Sequence, residues 1–164
     1  MLDEFKVAMK SEFEMKDFGL MKYFLGIELE QSNHGIFISQ QKYVVDILKR
    51  FKMEKCKPTD TLIDLGTELR KEYLGSVVNS TLYKQLVGSL IYLTTIRHDI
   101  AYATSYISRF MKYPKDSHWK FGKRILRYIA GTTTYHLWYI DSPASMLTCY
   151  TDSDYAGNIG DKKK

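Results

Sequence analysis

The chain has 164 residues, of which 45% are apolar and 26% charged, and it carries a formal net charge of +5. This composition is typical of a globular protein and excludes a disordered or fibrous one. The apolar runs are only a few residues long and the N-terminus is acidic and amphipathic, so we expect neither a membrane span nor a signal peptide. The two cysteines, Cys56 and Cys149, favour a reducing cytoplasmic or nuclear compartment over a disulfide framework.

The first part of the chain predicts a helix, a hairpin and a second helix. Apolar residues at three- and four-residue steps indicate an amphipathic helix that begins at Leu2 and ends near Met15. Alternation over residues 23–29 predicts a strand, and residues 36–38 follow a turn as the second strand of a hairpin. Ser39 is placed to cap the next helix. The apolar stripe of that helix consists of Val44, Ile47, Leu48 and Phe51.

The periodicity weakens over residues 58–80, which predicts a linker between an N-terminal lobe and a C-terminal helical one. Three helical patterns follow it, over residues 81–94, 99–111 and 117–130, with Asp99 as an expected cap and Gly131 as the expected stop. Alternation then predicts two strands, over residues 135–140 and 146–151.

The net positive charge is concentrated in and just before the third predicted helix. Seven basic residues and one acidic residue fall between residues 109 and 127, so this window carries +6 and the rest of the chain is close to neutral. On a helical wheel, four of them share one arc, opposite apolar residues that include Trp119. These four are Lys120, Lys123, Arg124 and Arg127. A localised basic surface favours a polyanionic partner, although a solvated helix face is the alternative interpretation.

Two carboxylates, Asp152 and Asp154, end the last predicted strand. Carboxylates are the ligands that Mg²⁺ prefers, and residues at i and i+2 of a strand share a face. Two carboxylates are fewer than a two-metal centre needs, and an Asp-Ser-Asp turn also occurs as a plain loop or cap. The histidines and cysteines show no zinc-ligand spacing, and the sequence has no glycine-rich phosphate loop.

Several runs, in order and over essentially the whole chain, resemble one known family. They are FEMKDFG (13–19), KYFLGIEL (22–29), SQQKY (39–43), LKRF (48–51), YKQLVGSLIYL (83–93), HW (118–119), KRILRY (123–128), GT (131–132) and YTDSDYAG (150–157). Together they are similar to the Ty1/copia-type retrotransposon reverse transcriptases, from the C-terminal part of the palm into the start of RNase H.

The resemblance implies roles for several residues. Phe24, Leu25 and Gly26 resemble the primer grip, and the three C-terminal helices resemble the thumb that follows the template–primer backbone. Asp152 resembles the first metal-binding aspartate of RNase H, which binds Mg²⁺ in the intact family enzyme. The family's Tyr-Val-Asp-Asp run of the polymerase site is not in this sequence. We therefore expect the chain by itself to be catalytically inactive and to bind no metal.

The expected fold is α+β, in four parts. Residues 1–57 are the C-terminal part of the palm with its hairpin, residues 58–80 the linker, residues 81–132 a three-helix thumb-like bundle, and residues 133–164 a hairpin that begins an RNase H-like sheet.

Three interpretations of function stay open. The first is a fragment of a Pol polyprotein that binds an RNA–DNA or DNA template–primer duplex through its backbone, with no membrane and no small-molecule substrate as partner. The second is a non-catalytic protein that binds nucleic acid or an acidic partner through the basic helix over residues 117–130. The third is the product of a degenerate element that is never made as a folded protein, which the histidine in Arg97-His98-Asp99-Ile100, where the family has proline, would fit.

Overall fold

The computed structural model describes residues 2–16, 19–63, 69, 75–140 and 149. The helices in these ranges are α1 (Leu2–Glu12), α2 (Gln41–Arg50), α3 (Ser80–Leu93), α4 (Ala101–Ser108) and α5 (Asp116–Gly131), with a 3₁₀ turn (His98–Ile100) directly before α4. The strands are β1 (Tyr23–Phe24), β2 (Ile27–Ser32), β3 (Gly35–Ser39) and β4 (Leu137–Ile140). The predicted α+β class is confirmed. No helix in the described part of the chain is both long and apolar enough to cross a membrane.

The four strands form one antiparallel sheet in the order β1-β2-β3-β4. The strand predicted over residues 23–29 is divided, because the chain turns back between Phe24 and Ile27, which face each other in the ladder. β4 was expected to begin a second sheet, but it pairs with β3, from Ile38 opposite Leu137 to Gly35 opposite Ile140. Its predicted partner strand over residues 146–151 lies, apart from Cys149, outside the described residues.

One apolar core joins α2 to the three C-terminal helices. Its fully buried members come from each of these elements, with Ile47 on α2, Leu86 on α3, Ile107 on α4 and Ile125 on α5. The apolar stripe predicted for α2 and most apolar positions of the three C-terminal helices therefore face this core, whereas those of the first predicted helix do not. The core therefore includes α2, which precedes the predicted linker at residues 58–80, and α5, which follows it.

The starts of two helices differ from their predictions. Ser39 does not cap α2; instead the carboxylate of Glu28 on β2 accepts the Lys42 backbone N–H at 2.9 Å. A carboxylate at this position also interacts favourably with the positive end of the helix dipole. The predicted cap Asp99 binds the side chain of Arg97 instead, and α4 begins without a side-chain cap. The sheet and the helices are thus joined by long-range contacts that local sequence does not indicate.

Helix α1 lies outside the core. It begins at Leu2 as predicted and ends at Glu12, three residues before the predicted end, and none of its residues is buried. Its apolar residues Leu2, Phe5 and Val7 are all more than half exposed. With the segment that leads into β1, α1 lines an open groove whose wall includes Met9 and Phe24.

Candidate nucleic-acid interface

The hairpin between β1 and β2 presents apolar side chains on a tight turn. Leu25 and Gly26 connect the two strands and both have positive φ, at 48° and 82°. Two successive left-handed residues are what a type I′ hairpin turn requires. A leucine in this region of φ is uncommon because its Cβ crowds the backbone. The Phe24 and Leu25 side chains are 54% and 71% exposed, so both are accessible to a partner.

The four basic residues predicted to share a face of α5 do come together. Lys120, Lys123, Arg124 and Arg127 line one shallow depression of about 300 Å³, together with Met53. The spacing of these positions predicts this arrangement, because residues three and four apart lie on one side of a helix. A depression lined by four cationic side chains can attract phosphate groups.

The two lysines of this depression differ in exposure, since Lys120 extends into solvent and Lys123 is half-buried. Lys120 forms an i,i+4 ion pair with Asp116 at 2.7 Å, and its side chain is 72% exposed. The ammonium of Lys123 lies 6.0 Å from the centre of the Trp119 ring. Exposed ion pairs contribute little to stability, so a phosphate can displace Asp116 from Lys120 at small cost.

The two arginines bind the connecting segment that follows α2, residues 53–61. Arg127 donates from Nε to the carbonyl of Lys57 at 2.7 Å, and Arg124 donates from Nη2 to the hydroxyl of Thr61 at 2.7 Å. A guanidinium has five donor hydrogens, so the bond to Lys57 does not use all of those of Arg127. Their first role is nevertheless structural, because they hold the segment after α2 against α5.

A buried arginine fixes the end of this basic helix. Arg97 is 3% exposed, and its guanidinium donates to both oxygens of Asp99, at 2.9 and 2.7 Å. It also donates to the carbonyl and the hydroxyl of Thr132, directly after α5. The Arg97 guanidinium lies 5.1 Å from the centre of the Tyr135 ring. These bonds join the start of α4 to the C-terminus of α5.

The charge state of this cluster follows from its contacts. Burial acts to raise the pKa of the Asp99 carboxyl, but the hydrogen bonds and positive charge of Arg97, with the hydrogen bond from Tyr128, leave that pKa below its usual range. Burial and the carboxylate of Asp99 raise the pKa of the Tyr128 hydroxyl. At neutral pH, Asp99 is therefore ionised and Tyr128 donates to it as a neutral phenol, at 3.0 Å.

The predicted metal ligand falls outside this description. Asp152 and its neighbour Asp154 lie outside the described residues. Among the residues that the structure describes, no three histidine, cysteine, aspartate or glutamate side chains lie together as a metal site would require. The described residues therefore do not by themselves form a three-ligand site for Mg²⁺.

The sequence itself matches a family of polymerases. Residues 1–64, which include α1, the hairpin and α2, match the reverse transcriptase (RNA-dependent DNA polymerase) family. This part of the chain is thus similar to reverse transcriptases, as its motifs predict.

The relatives extend this similarity over most of the chain. The retrovirus-related Pol polyprotein from transposon RE2 of Arabidopsis thaliana is 35% identical over 94% of this chain and 11% of its own length. The Pol polyprotein from transposon TNT 1-94 of Nicotiana tabacum is 34% identical over 99% of the chain and 13% of its own length. A putative transposon Ty5-1 protein of Saccharomyces cerevisiae is 30% identical over 93% of the chain and half of its own length.

These matches confirm the resemblance to Ty1/copia-type Pol polyproteins. The chain spans about a tenth of the length of the first curated relatives that it matches. No solved structure gives a significant match.

Sequence reasoning missed the residues that hold the site in place. Tyr92 on α3 donates from its hydroxyl to the carbonyl of Leu25, 67 residues away. Arg97 was noted only for its motif, and its bonds to Thr132 join residues 35 positions apart. Neither contact has a local signal, because each depends on how distant elements pack.

Proposed function

We propose that this chain is a template–primer-binding part of a Ty1/copia-type reverse transcriptase. The basic side chains of α5 bind the backbone of an RNA–DNA or DNA duplex, and the Phe24-Leu25-Gly26 turn contacts the primer near its 3′ end. The observation that carries the proposal is the depression on α5, where the exposed Lys120 and the half-buried Lys123 lie beside two arginines. The family match of residues 1–64 and the exposed hairpin turn support it.

Contacts of this kind are independent of base sequence. Lysine and arginine neutralise phosphates and release the cations that are condensed on the duplex, so the affinity falls steeply as salt rises. Phosphate contacts position a protein on a duplex, whereas base contacts specify sequence. The expected binding is therefore weak, general for duplexes and strongly dependent on ionic strength.

The same proposal assigns the parts of the chain. Residues 1–57 form the end of the palm, residues 81–132 the thumb or connection helices, and residues 133–164 the start of an RNase H-like domain, although β4 of this last part pairs with β3 of the palm. The two-residue hairpin after Phe24 and the three packed C-terminal helices support the first two assignments. The resemblance of residues 150–157 to the RNase H motif supports the third, with Asp152 as its first metal ligand.

Catalysis belongs, in this proposal, to a longer Pol protein. Polymerase and RNase H reactions use two divalent cations that are roughly 4 Å apart and are held by several carboxylates. The sequence contains one carboxylate pair in a family motif, at Asp152 and Asp154, and lacks the paired aspartates of the polymerase site. The chain alone is therefore expected to bind a duplex without extending a primer.

A duplex-binding measurement tests the proposal. The fluorescence anisotropy of a labelled RNA–DNA duplex with a recessed primer end is followed at several salt concentrations. The log–log dependence of affinity on salt should be linear, and the variant Lys120→Ala/Lys123→Ala should lower its slope by about 1 to 2. A variant in which two exposed lysines outside the depression are removed, Lys10→Ala/Lys84→Ala, is the matched control and should leave the slope nearly unchanged.

Four outcomes would contradict parts of the proposal. Binding that does not depend on salt, or an unchanged slope in the Lys120→Ala/Lys123→Ala variant, shows that the basic arc is only a solvated face. Tighter binding to poly-glutamate than to the duplex favours an acidic protein partner for the same arc. Primer extension by this chain with Mg²⁺ and deoxynucleotides would overturn the assignment of catalysis to a longer protein.

A further inference from the structure

The hairpin turn needs support from outside itself. β1 has only two residues, and the turn contains a leucine with a φ of 48°. A short two-stranded hairpin is marginally stable by itself, and a left-handed leucine costs free energy that the surroundings must offset. Leu25 is 71% exposed, so burial of its side chain offsets little of this free-energy cost.

The support comes from α3. The Tyr92 hydroxyl donates to the carbonyl of Leu25, which is the first residue of the turn. A Cβ placed on Gly26, the second residue, would lie 3.1 Å from the same Tyr92 oxygen. The hydroxyl therefore sits directly against the backbone of both turn residues. No bulkier residue fits at position 26 without displacing Tyr92, and a φ of 82° disfavours one independently.

Tyr92 is itself held on two sides. Its ring meets the ring of Tyr43 edge-on, with 4.7 Å between the centroids. Its backbone carbonyl accepts the side-chain amide of Gln40 at 3.4 Å. The next residue, Leu93, is completely buried in the core of the helices. The Tyr92 side chain is thus held on α3 next to a core residue, and its hydroxyl reaches the hairpin.

The hairpin has a second attachment at its other end. Glu28, on β2, accepts the backbone N–H of Lys42 at the start of α2. This bond fixes the base of the hairpin, whereas the Tyr92 bond fixes its tip. Removal of the Tyr92 hydroxyl should therefore release the turn without detaching the sheet.

We infer that Tyr92 is a positioning residue for the primer-binding turn. Tyr92 sets the direction of the Leu25-Gly26 backbone. It thereby places the Phe24 and Leu25 side chains relative to α5, which carries the basic face. This inference rests on the proposed function for its contact with the primer end. The attachment of the turn to Tyr92 does not depend on that function.

The attachment is tested by hydrogen exchange in the Tyr92→Phe variant of the full chain. Loss of one hydrogen bond should accelerate amide exchange in residues 22–29 by about 2- to 10-fold. Exchange in α5 should not change. Tyr113→Phe is the matched control, because Tyr113 is 69% exposed and lies on a different segment. Unchanged exchange in residues 22–29 overturns the attachment.

The positioning role is tested by end preference, which a purely structural role would not alter. The affinity for a duplex with a recessed 3′ end is divided by the affinity for a blunt duplex of the same length. Tyr92→Phe should reduce this ratio towards one while the blunt-duplex affinity, which depends on α5, stays constant. A ratio that Tyr92→Phe leaves unchanged overturns the positioning role. A wild-type ratio of one overturns the proposed function of the turn, and the exchange result then still decides whether Tyr92 holds it.

Discussion

Arg97 and Thr132 are joined by two hydrogen bonds, from the guanidinium to the carbonyl at 2.9 Å and to the hydroxyl at 2.7 Å. Thr132 follows the last residue of α5, where backbone carbonyls lack partners within the helix. A cation at this end also interacts favourably with the helix dipole. Arg97 therefore caps the C-terminus of α5 with hydrogen bonds and positive charge. It also holds this basic helix against the start of α4.

The first prediction concerns Arg97 itself. Arg97→Met should lower the free energy of unfolding by about 3 kcal/mol, at the low end for a broken buried ion pair because Asp99 is partly exposed to water. The free energy of unfolding of Arg97→Lys should lie between those of Arg97→Met and the wild type. An ammonium keeps the positive charge but cannot make the bidentate contact. Urea denaturation measures both. Equal stability of Arg97→Met and the wild type would contradict the role given to this residue.

The second prediction concerns acid. The pKa of Asp99 is lower in the folded chain than its usual value, so its ionised form stabilises the fold. This contribution is complete above the unfolded-state pKa, about 3.9, and is lost as the pH falls through the folded pKa. Asp99→Asn should therefore reduce stability at pH 7 and show a smaller further loss than the wild type between pH 5 and pH 3. Parallel pH dependences of the two proteins would exclude the effect.

The third prediction uses two glycines. A Cβ on Gly122 of α5 would lie 2.6 Å from a methyl carbon of Leu86, which is completely buried in α3. Gly122→Ala should destabilise the chain by about 1–3 kcal/mol through overpacking, despite the better helix propensity of alanine. Gly88→Ala is the matched control, because Gly88 also lies in a helix and has open space around it. It should be neutral or stabilising by up to about 1 kcal/mol. The same sign for both changes would contradict close packing at Gly122.

The helices were predictable because their apolar periodicity is strong. α3 and α5 lie within about a residue of the predicted bounds, and the predicted helix over residues 99–111 appears as the 3₁₀ turn followed by α4. The caps were less predictable. Glu28 serves α2 from a neighbouring strand, and Asp99 is drawn to Arg97, so tertiary contacts override the local preference of these residue types.

The candidate site was predictable in part. The helical wheel placed the basic residues of α5 on one arc, and they line one depression. It could not show that Arg124 and Arg127 bind residues more than 60 positions earlier in the chain. The turn at Leu25 also lacked the usual Asn-Gly signal for a two-residue hairpin, and a contact from distant Tyr92 supports it instead.

The fourth prediction separates binding from structure on α5. Arg127→Ala removes a hydrogen bond to the Lys57 carbonyl and should destabilise the chain by about 1 kcal/mol. It should also accelerate hydrogen exchange in residues 53–61. Lys120→Ala, one of the variants proposed for duplex binding, is the control and should change neither property, since its ion pair is exposed. If Arg127→Ala and Lys120→Ala show the same exchange, Arg127 does not hold the segment that follows α2.

The fifth prediction asks whether the two halves of the chain unfold together. Ile47 of α2 is completely buried in the core shared with α5, whereas Phe5 of α1 is 59% exposed. Ile47→Ala should cost about 2–5 kcal/mol and should raise exchange in α5 as much as in α2, because the elements share one core. Phe5→Ser should change stability by less than about 0.5 kcal/mol, as a surface substitution does. If Ile47→Ala loosened α2 and left α5 protected, residues 58–80 would separate two independent lobes, and the shared core would not act as one cooperative unit.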